Sequence, residues 1–405
     1  METFGPSRGP DAPSPPSTAA PRRVDPAGGQ YRRPVPQSAV PHASEGVDAP
    51  PDPQRWVSGL EGNELVFRHA DPAGELVSLR LWQEIGVPGE RLDFTRVEGG
   101  WELRLPRPSV HRLEYTFEGV LADGATWWGL DPANPNVVGG AFGDKSWLAL
   151  PGYQVPAWTE VESVPWVVTD HHLAATAVGT MDIMVWAPEG AGPSLPLPML
   201  VAHDGAEYAM FAGLTHLVGA GVATGDLPPM RVVLLTPGNR NERYAANPSY
   251  AEAVATSLVP FLRETYTTTG DLVLVGASLG ALAALHVEWT HPGTFGGLVL
   301  QSGSFFTPET DPQESRFEYY AQVTAFVSQV LAADQPPSTP LVAMSCGATE
   351  ENVHCNRVMS THLASIGVDV DWVEHPDVHN YTSWRDVLDP RLTTVLQRLW
   401  RPDGA

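Results

Sequence analysis

Two hydrophobic rhythms divide the chain. Between Trp56 and about Pro151, apolar and polar residues alternate. The stretches "ELVSLRLW" (75–82), "WELRLP" (101–106) and "LEYTFEGVLADG" (113–124) each repeat with period two, and the last carries the turn dipeptide Asp123–Gly124. That period sets one face of a strand on a core and the other toward polar surroundings. A small antiparallel β-sandwich is expected there, with "LDPANPN" (130–136) as its exit loop. From about Glu160 the rhythm changes to short apolar runs: "MDIMVWAP" (181–188), "PMLVAH" (198–203), "RVVLLT" (231–236), "DLVLVG" (271–276), "GLVLQS" (297–302), "PLVAMS" (340–345) and "DVDWVE" (369–374). Helical stretches lie between several of them. In "SYAEAVATSLVPFLRETY" (249–266), Tyr250, Val254, Leu258 and Leu262 recur every four residues and can share a face. Strands alternating with helices predict a mostly parallel sheet covered on both sides. No internal repeat of fixed period interrupts this scheme.

Composition adds boundaries. Residues 1–54 hold 13 of the 40 prolines and almost no large apolar residues, so a disordered tail is expected. The remainder divides into a β-sandwich domain, 55–155, and an α/β domain, 156–405. The opening "METFGPSRGPDAPSPPSTAAPRR" has no apolar core, and no run of 18 apolar residues occurs anywhere. Neither a secretory signal nor a membrane span is expected. Two cysteines, Cys346 and Cys355, make no disulfide framework, and a cytoplasmic setting fits. The formal charge of −23 argues against nucleic acid as a partner.

The chemistry concentrates at Gly276-Ala277-Ser278-Leu279-Gly280, a G-x-S-x-G pattern between an apolar strand and an alanine-rich helix. In a nucleophile elbow the serine stands on a strained strand-to-helix turn at the C-terminal edge of a sheet. Side chains two residues either side would collide in that turn, which accounts for the glycines. Leu279 N–H then becomes one oxyanion donor at a helix N-terminus. The pattern alone means little: Gly5-Pro6-Ser7-Arg8-Gly9 matches too, with neither strand nor helix around it. A serine nucleophile needs a histidine and an acid, expected in the order Ser, acid, His. "AMSCGATEEN" (343–352) offers Glu350 and Glu351 past one strand end; "EHPDVHNYTSW" (374–384) offers His375 and His379 past the last. Position alone leaves both pairs open. A metal cluster of His375, His379, Cys346, His354 and Cys355 lacks a close cysteine pair or an H-E-x-x-H helix, and is not expected.

Several blocks, in order, resemble the enterochelin esterase family of the α/β-hydrolases. They are "HDGAEY" (203–208), "NRNERYAANPSY" (239–250), "VLVGASLGALAALHVEWTHPGTFGGLVLQSGSFF" (273–306), "CGATEENVHCNRVMSTHLASIG" (346–367) and "HNYTSWRDVL" (379–388). The upstream β-region ending in "DPANPN" is similar to the N-terminal domain these esterases carry. The resemblance spans roughly residues 57–400. It implies an α/β-hydrolase fold behind a β-sandwich, Ser278 as nucleophile, His379 as base because Trp384 follows five later, and Glu350 as acid three after Gly347, with Glu351 as fallback. An N–H of the Gly205–Ala206 loop, assigned to Ala206, joins Leu279 as oxyanion donor. Two departures stand out. Val378 and Asn380 flank the histidine where the family usually has glycine and aspartate, and Arg243 falls where an acidic residue is common; both are expected near the substrate pocket.

The resemblance implies ester hydrolysis without metal or organic cofactor. The expected partner is a small-molecule ester, in this family a catecholate siderophore of the enterobactin kind, whose cleavage inside the cell releases iron. Arg240 and Arg385 are candidates to bind an anionic substrate or to serve as structural ion pairs. Trp384 is a further candidate contact, and Trp127 and Trp128 either stack on aromatic rings or fill a core. The same acyl-enzyme would serve a general carboxylesterase or an acyltransferase. A reading from another class is a non-catalytic ligand-binding module with a relic elbow.

Overall fold

The computed structural model describes residues 53–400. The expected N-terminal tail lies almost wholly outside them. Nine strands build the first part: β1 (Gly59–Glu61), β2 (Glu64–Ala70), β3 (Leu76–Gln83), β4 (Thr95–Val97), β5 (Gly100–Pro106), β6 (Arg112–Leu121), β7 (Thr126–Gly129), β8 (Val137–Val138) and β9 (Lys145–Ala149). They form two antiparallel sheets, β1-β2-β5-β4 and β3-β6-β9-β8, with β7 paired to β6. Leu65, Phe67, Leu79, Leu81, Leu103, Leu105, Leu113, Tyr115 and Phe117 bury one face of each sheet in a common core. The Asp123–Gly124 turn closes the β6–β7 hairpin as expected. The segment 130–136 is not an exit loop. It stays inside the sandwich because Asp131 is buried and accepts hydrogen bonds from Ser58 and Tyr115, and the chain returns through β8 and β9.

The second part is a sheet of eight strands: β10 (Trp166–Thr176), β11 (Gly179–Pro188), β12 (Met199–Ala202), β13 (Arg231–Leu235), β14 (Val273–Ala277), β15 (Gly297–Gln301), β16 (Leu341–Gly347) and β17 (Asp369–His375). The order is β10-β11-β13-β12-β14-β15-β16-β17; β11 runs antiparallel to both neighbours and everything from β13 onward is parallel. This is the α/β-hydrolase arrangement expected. Each apolar run named above is a strand. Their residues divide by parity: Met199, Val201, Leu272 and Leu274 face one core, Leu200, Ala202, Val273 and Val275 the other. Two-sided burial explains why these strands read as continuous apolar runs. Helices 240–265, 279–290, 320–331 and 353–365 cover the first face; 205–211, 214–224 and 388–400 cover the second.

The four-residue repeat in 249–266 has its own consequence. A spacing of four outruns the 3.6-residue period of an α-helix, so the four apolar residues would drift around it. Ala253–Leu258 is wound as a π-helix, which turns more slowly and keeps Tyr250, Val254, Leu258 and Leu262 all in the core. Among the described residues no helix is long and apolar enough to cross a membrane. Cys346 and Cys355 are both free and buried.

The fold brings the ends of β12, β14, β15, β16 and β17 to one edge, where the connecting loops meet. Close backbone approach there is obligatory. A Cβ on Gly205 would lie 2.3 Å from the backbone of Leu234 in β13. Gly205→Ala should therefore lower stability by about 1–3 kcal/mol, read as a lower urea midpoint at unchanged m-value. An unchanged midpoint would show that this helix is free to retreat from the sheet.

Candidate active site

The serine comes first. Strand β14 ends at Ala277, Ser278 takes φ +56°, and the helix Leu279–Thr290 follows at once. That left-handed backbone is costly for a non-glycine residue and persists because its surroundings enforce it. Ser278 N–H donates to Gln301 O on β15, and its own carbonyl accepts from Ala281, Leu282 and Ser304 N–H. A Cβ on Gly276 would sit 2.4 Å from Gly280 O, so the turn itself demands that glycine. Gly280 is needed less by the turn than by its neighbours, with His203 Cβ 3.2 Å from its would-be Cβ. The Ser304 hydroxyl stands 3.4 Å from Ser278 Oγ.

The acid and histidine come from the next two strand ends. Glu350 follows β16 and is buried. Its Oε1 accepts from Gly347 N–H and Ser302 Oγ–H, each at 2.8 Å, and its Oε2 lies 2.8 Å from His379 Nδ1. Burial pushes the carboxyl upward, but the His379 charge and these three donors outweigh it and hold it below its ordinary range. For His379, burial opposes the charged ring, yet the Glu350 carboxylate wins and the imidazole sits above its usual value. Because Nδ1 is engaged, Nε2 is the nitrogen left to exchange a proton, and the side chain is 35% exposed. Trp384 sets its ring edge against the imidazole at 5.1 Å and donates its indole N–H to Ser302 Oγ at 3.0 Å. Trp384, Ser302, Glu350 and His379 thus form one directed chain of contacts.

The alternatives separate cleanly. Glu351 is exposed beside the buried Glu350. His375 bonds Ser383 Oγ through Nε2, and burial pushes it down to about 4. Among the described residues no group of three or more His, Cys, Asp or Glu is arranged to hold a metal ion. Leu279 and Ala206 both occupy first-turn positions, where an amide has no carbonyl of its own helix to meet.

Three expected substrate contacts are placed otherwise. Arg240 forks onto Asp204 with contacts of 2.8–3.0 Å from Nε and Nη2. Asp204 carries φ +48° at the head of the helix that holds Ala206, so Arg240 braces the start of that helix. Arg385 is tied to Asp386 and to the Tyr153 hydroxyl. Trp384 is only 5% exposed, an internal brace and not a wall of the cleft. Arg243 is also structural: it donates to the carbonyls of Val178 and Thr180 at 3.1 and 2.9 Å, stapling the β10–β11 turn. Trp127 packs against the sandwich core, whereas Trp128 is half exposed and faces Trp82 at 6.2 Å. The sequence does not point to Ser302, Ser304, Glu84 or Arg112 as parts of this site, and it marks Asn380 only as a departure beside His379 near the expected pocket. Ser302 and Ser304 lie in the quoted "QSGS", but nothing local in that string tells which hydroxyl meets the acid.

The model of the Esterase family matches residues 175–393, more than half of the chain. The chain belongs to the Esterase family. It is a carboxylic ester hydrolase. No curated protein sequence matches it. Among solved structures, the enterobactin esterase FES of Shigella flexneri, crystallised with 2,3-di-hydroxy-N-benzoyl-glycine, is similar at TM-score 0.65 and 18% identity, covering 84% of this chain and 94% of that one. The ferric enterobactin esterase of Salmonella typhimurium is similar at TM-score 0.65 and 19% identity, covering 83% and 93%. At such identities the likeness fixes the fold of this esterase, sandwich included.

The electrostatics yield a pH prediction. A base must be neutral to accept a proton, so activity should fall on acidification through a pKa above the ordinary histidine value. In Glu350→Gln the carboxylate that most favours the imidazolium is gone, and only the charge of Glu84 is left to oppose burial. The acidic limb of kcat/KM should move to lower pH while the rate falls about 10³- to 10⁴-fold. A limb that stays in place would show that Glu350 does not set the His379 charge.

Proposed function

We propose that this esterase cleaves its substrate through Ser278, His379 and Glu350. Ser278 Oγ attacks the ester carbonyl carbon while His379 Nε2 takes its proton. The tetrahedral oxyanion is held by Leu279 and Ala206 N–H. Collapse expels the alcohol, which receives its proton from His379, and leaves an acyl-serine. A water, deprotonated by the same nitrogen, attacks that ester and frees the acid and the serine. Glu350 keeps the proton of the neutral ring on Nδ1 and stabilises the charged form. The observation that carries this reading is the 2.8 Å contact between His379 Nδ1 and the buried Glu350, at the same sheet edge as the strained Ser278 turn.

The substrate we propose is a catecholate siderophore ester, cleaved in the cytoplasm so that iron is released. Support comes from the shared sandwich-plus-hydrolase architecture, which spans nearly the whole of two proteins named as enterobactin esterases. The sandwich also presents Trp82 and Trp128, with Lys145 Nζ 4.7 Å over the Trp82 ring, a surface suited to aromatic acyl groups. One observation favours a second reading, a general carboxylesterase acting on uncharged esters. Glu84 acts on His379 as a nearby negative charge, and the Glu314 carboxyl, raised by its own burial and by Glu351 and Asp311, also feels His379. An acidic flank of this kind repels a ferric catecholate complex, which is anionic.

Hydrolysis of a catecholate trilactone, ferric and iron-free, beside a short p-nitrophenyl ester, tests both. Trilactone cleavage is expected, reduced about 10⁴-fold or more in Ser278→Ala. Cleavage of the p-nitrophenyl ester alone would retain the triad and remove the siderophore. Equal activity in Ser278→Ala would remove the triad.

A further inference from the structure

The loop that carries His379 has an unusual support. It runs from the end of β17 at His375 to the helix Tyr381–Asp386, and much of its anchorage comes from a different part of the chain, some 270 residues earlier. Arg112 opens strand β6 of the sandwich. Its side chain is 1% exposed. Nη2 donates to Asn380 Oδ1 at 2.9 Å, Nε lies 3.6 Å from Asp377 Oδ2, and Nη1 is held by Glu114 Oε1 at 2.8 Å. Asn380 in turn donates to Glu84 Oε2 at 3.2 Å, and Glu84 is fixed by Lys145 at 2.7 Å. His111 N–H donates to Pro376 O. Between these points Val378 is fully buried and belongs to the hydrophobic core of the sandwich. The residues on both sides of His379 are therefore held by the sandwich, one by burial and one by hydrogen bonds.

We propose that Arg112 is a positioning residue for His379, and that through it the β-sandwich completes the esterase site; this rests on the triad reading above. The relative strength of its contacts says how it acts. Burial lifts the Asp377 carboxyl to about 7 against the pull of Arg112, so the 3.6 Å pair with Asp377 is the weaker hold. The 2.9 Å bond to Asn380 is the stronger one. Asn380 uses the same Oδ1 to cap the next helix, accepting from Ser383 N–H at 2.9 Å. One oxygen thus fixes both the sandwich and the helix start to the residue beside the histidine. A guanidinium is well suited to this place, since its planar fork engages Asn380, Glu114 and Asp377 together and a lysine has no such geometry. The loop's own short-range bonds, Asp377 N–H to His375 O and Asn380 N–H to Val378 O, are internal and do not tie it to β16 or to the nucleophile. Across the loop, Thr349 Oγ–H to Asp377 O and Ala348 N–H to His375 O secure only its first half.

The test is steady-state hydrolysis of a small p-nitrophenyl ester by the full chain in Arg112→Ala, Asn380→Ser and the double variant, beside His379→Ala. Serine keeps a helix cap at 380 but does not reach Arg112 or Glu84, so Asn380→Ser should stay folded even where Arg112→Ala does not. We expect kcat to fall about 10²-fold, the scale of a small misplacement of a reacting group, with little change in KM. The double variant should lose much less than the product of the single losses. Added guanidinium should restore part of the Arg112→Ala rate, which a merely structural loss would not allow. If Arg112→Ala is unfolded, Asn380→Ser decides alone. Loss of activity in His379→Ala together with rates within about twofold of the parent in folded Asn380→Ser or Arg112→Ala would overturn this proposal and leave the triad reading intact. Full activity in His379→Ala would overturn the triad reading, and with it the role of Arg112.

Discussion

A carboxylate buried as deeply as Glu350 must be surrounded by donors or it will not stay charged. Much of the site follows from meeting that requirement. One donor is Gly347 N–H, and the turn that aims it leaves no room for a side chain: a Cβ on Gly347 would meet Asp377 O at 2.3 Å. Another is Ser302, held at φ +49° just past β15, whose hydroxyl is itself oriented by the indole of Trp384. The last is His379. Each donor comes from a different connection at one sheet edge, so satisfying one charge aligns three loops. Gln301, the residue before Ser302, accepts from Tyr208 and donates to Trp384 O, which carries the same alignment back to the helix Gly205–Phe211.

A second ion pair, with a buried carboxylate, repeats this logic on the opposite side of the serine. Asp204 is buried and left-handed, and Arg240 saturates both its oxygens. The guanidinium's Nε and Nη2 are spent on Asp204, although the side chain stays 34% exposed. The two candidate arginines therefore contribute order to the site, and among the groups that act on His379 from outside the proposed triad Glu84 favours its protonation while the charge of Arg240 opposes it. The character of the cleft follows from this balance more than from the overall charge of the chain.

Most of the architecture was legible because it rests on local patterning. Strands buried on both faces announce themselves as apolar runs, and strand-to-helix turns as small residues around a serine. What escaped has identifiable causes. Strand β10 is an edge strand with Asp170, His171 and His172 at its middle, and it shows no run or clean alternation. In β6 the alternation is real, with Leu113, Tyr115 and Phe117 on the sandwich core, but the polar partners Arg112, Glu114 and Thr116 are buried too. Period two distinguishes apolar from polar faces; it does not say whether the polar face meets water or another part of the protein. Glu350 could not be told from Glu351, nor His379 from His375, by position, since the difference lies in which side chain turns inward. Only the resemblance to a family separated them.

The same seam explains the residues that depart from that family's pattern. Val378 and Asn380, which flank His379, suggested a changed substrate pocket. They are instead where the two halves of the protein join: Val378 fills the end of the sandwich core, and Asn380 bridges Arg112 and Glu84. Glycine and aspartate at these places could not do the same. Glycine has nothing to bury, and an aspartate would set a second carboxylate against Glu84. Arg243, the other departure, staples a hairpin. A substitution beside a reactive residue thus reads as chemistry when only the chain is considered, and as assembly once its partners are known. The second serine pattern, at Gly5–Gly9, lies outside the described residues. At Ser278 the same pattern stands at a strand-to-helix turn, on the sheet edge where four other strands end and where the buried Glu350 lies.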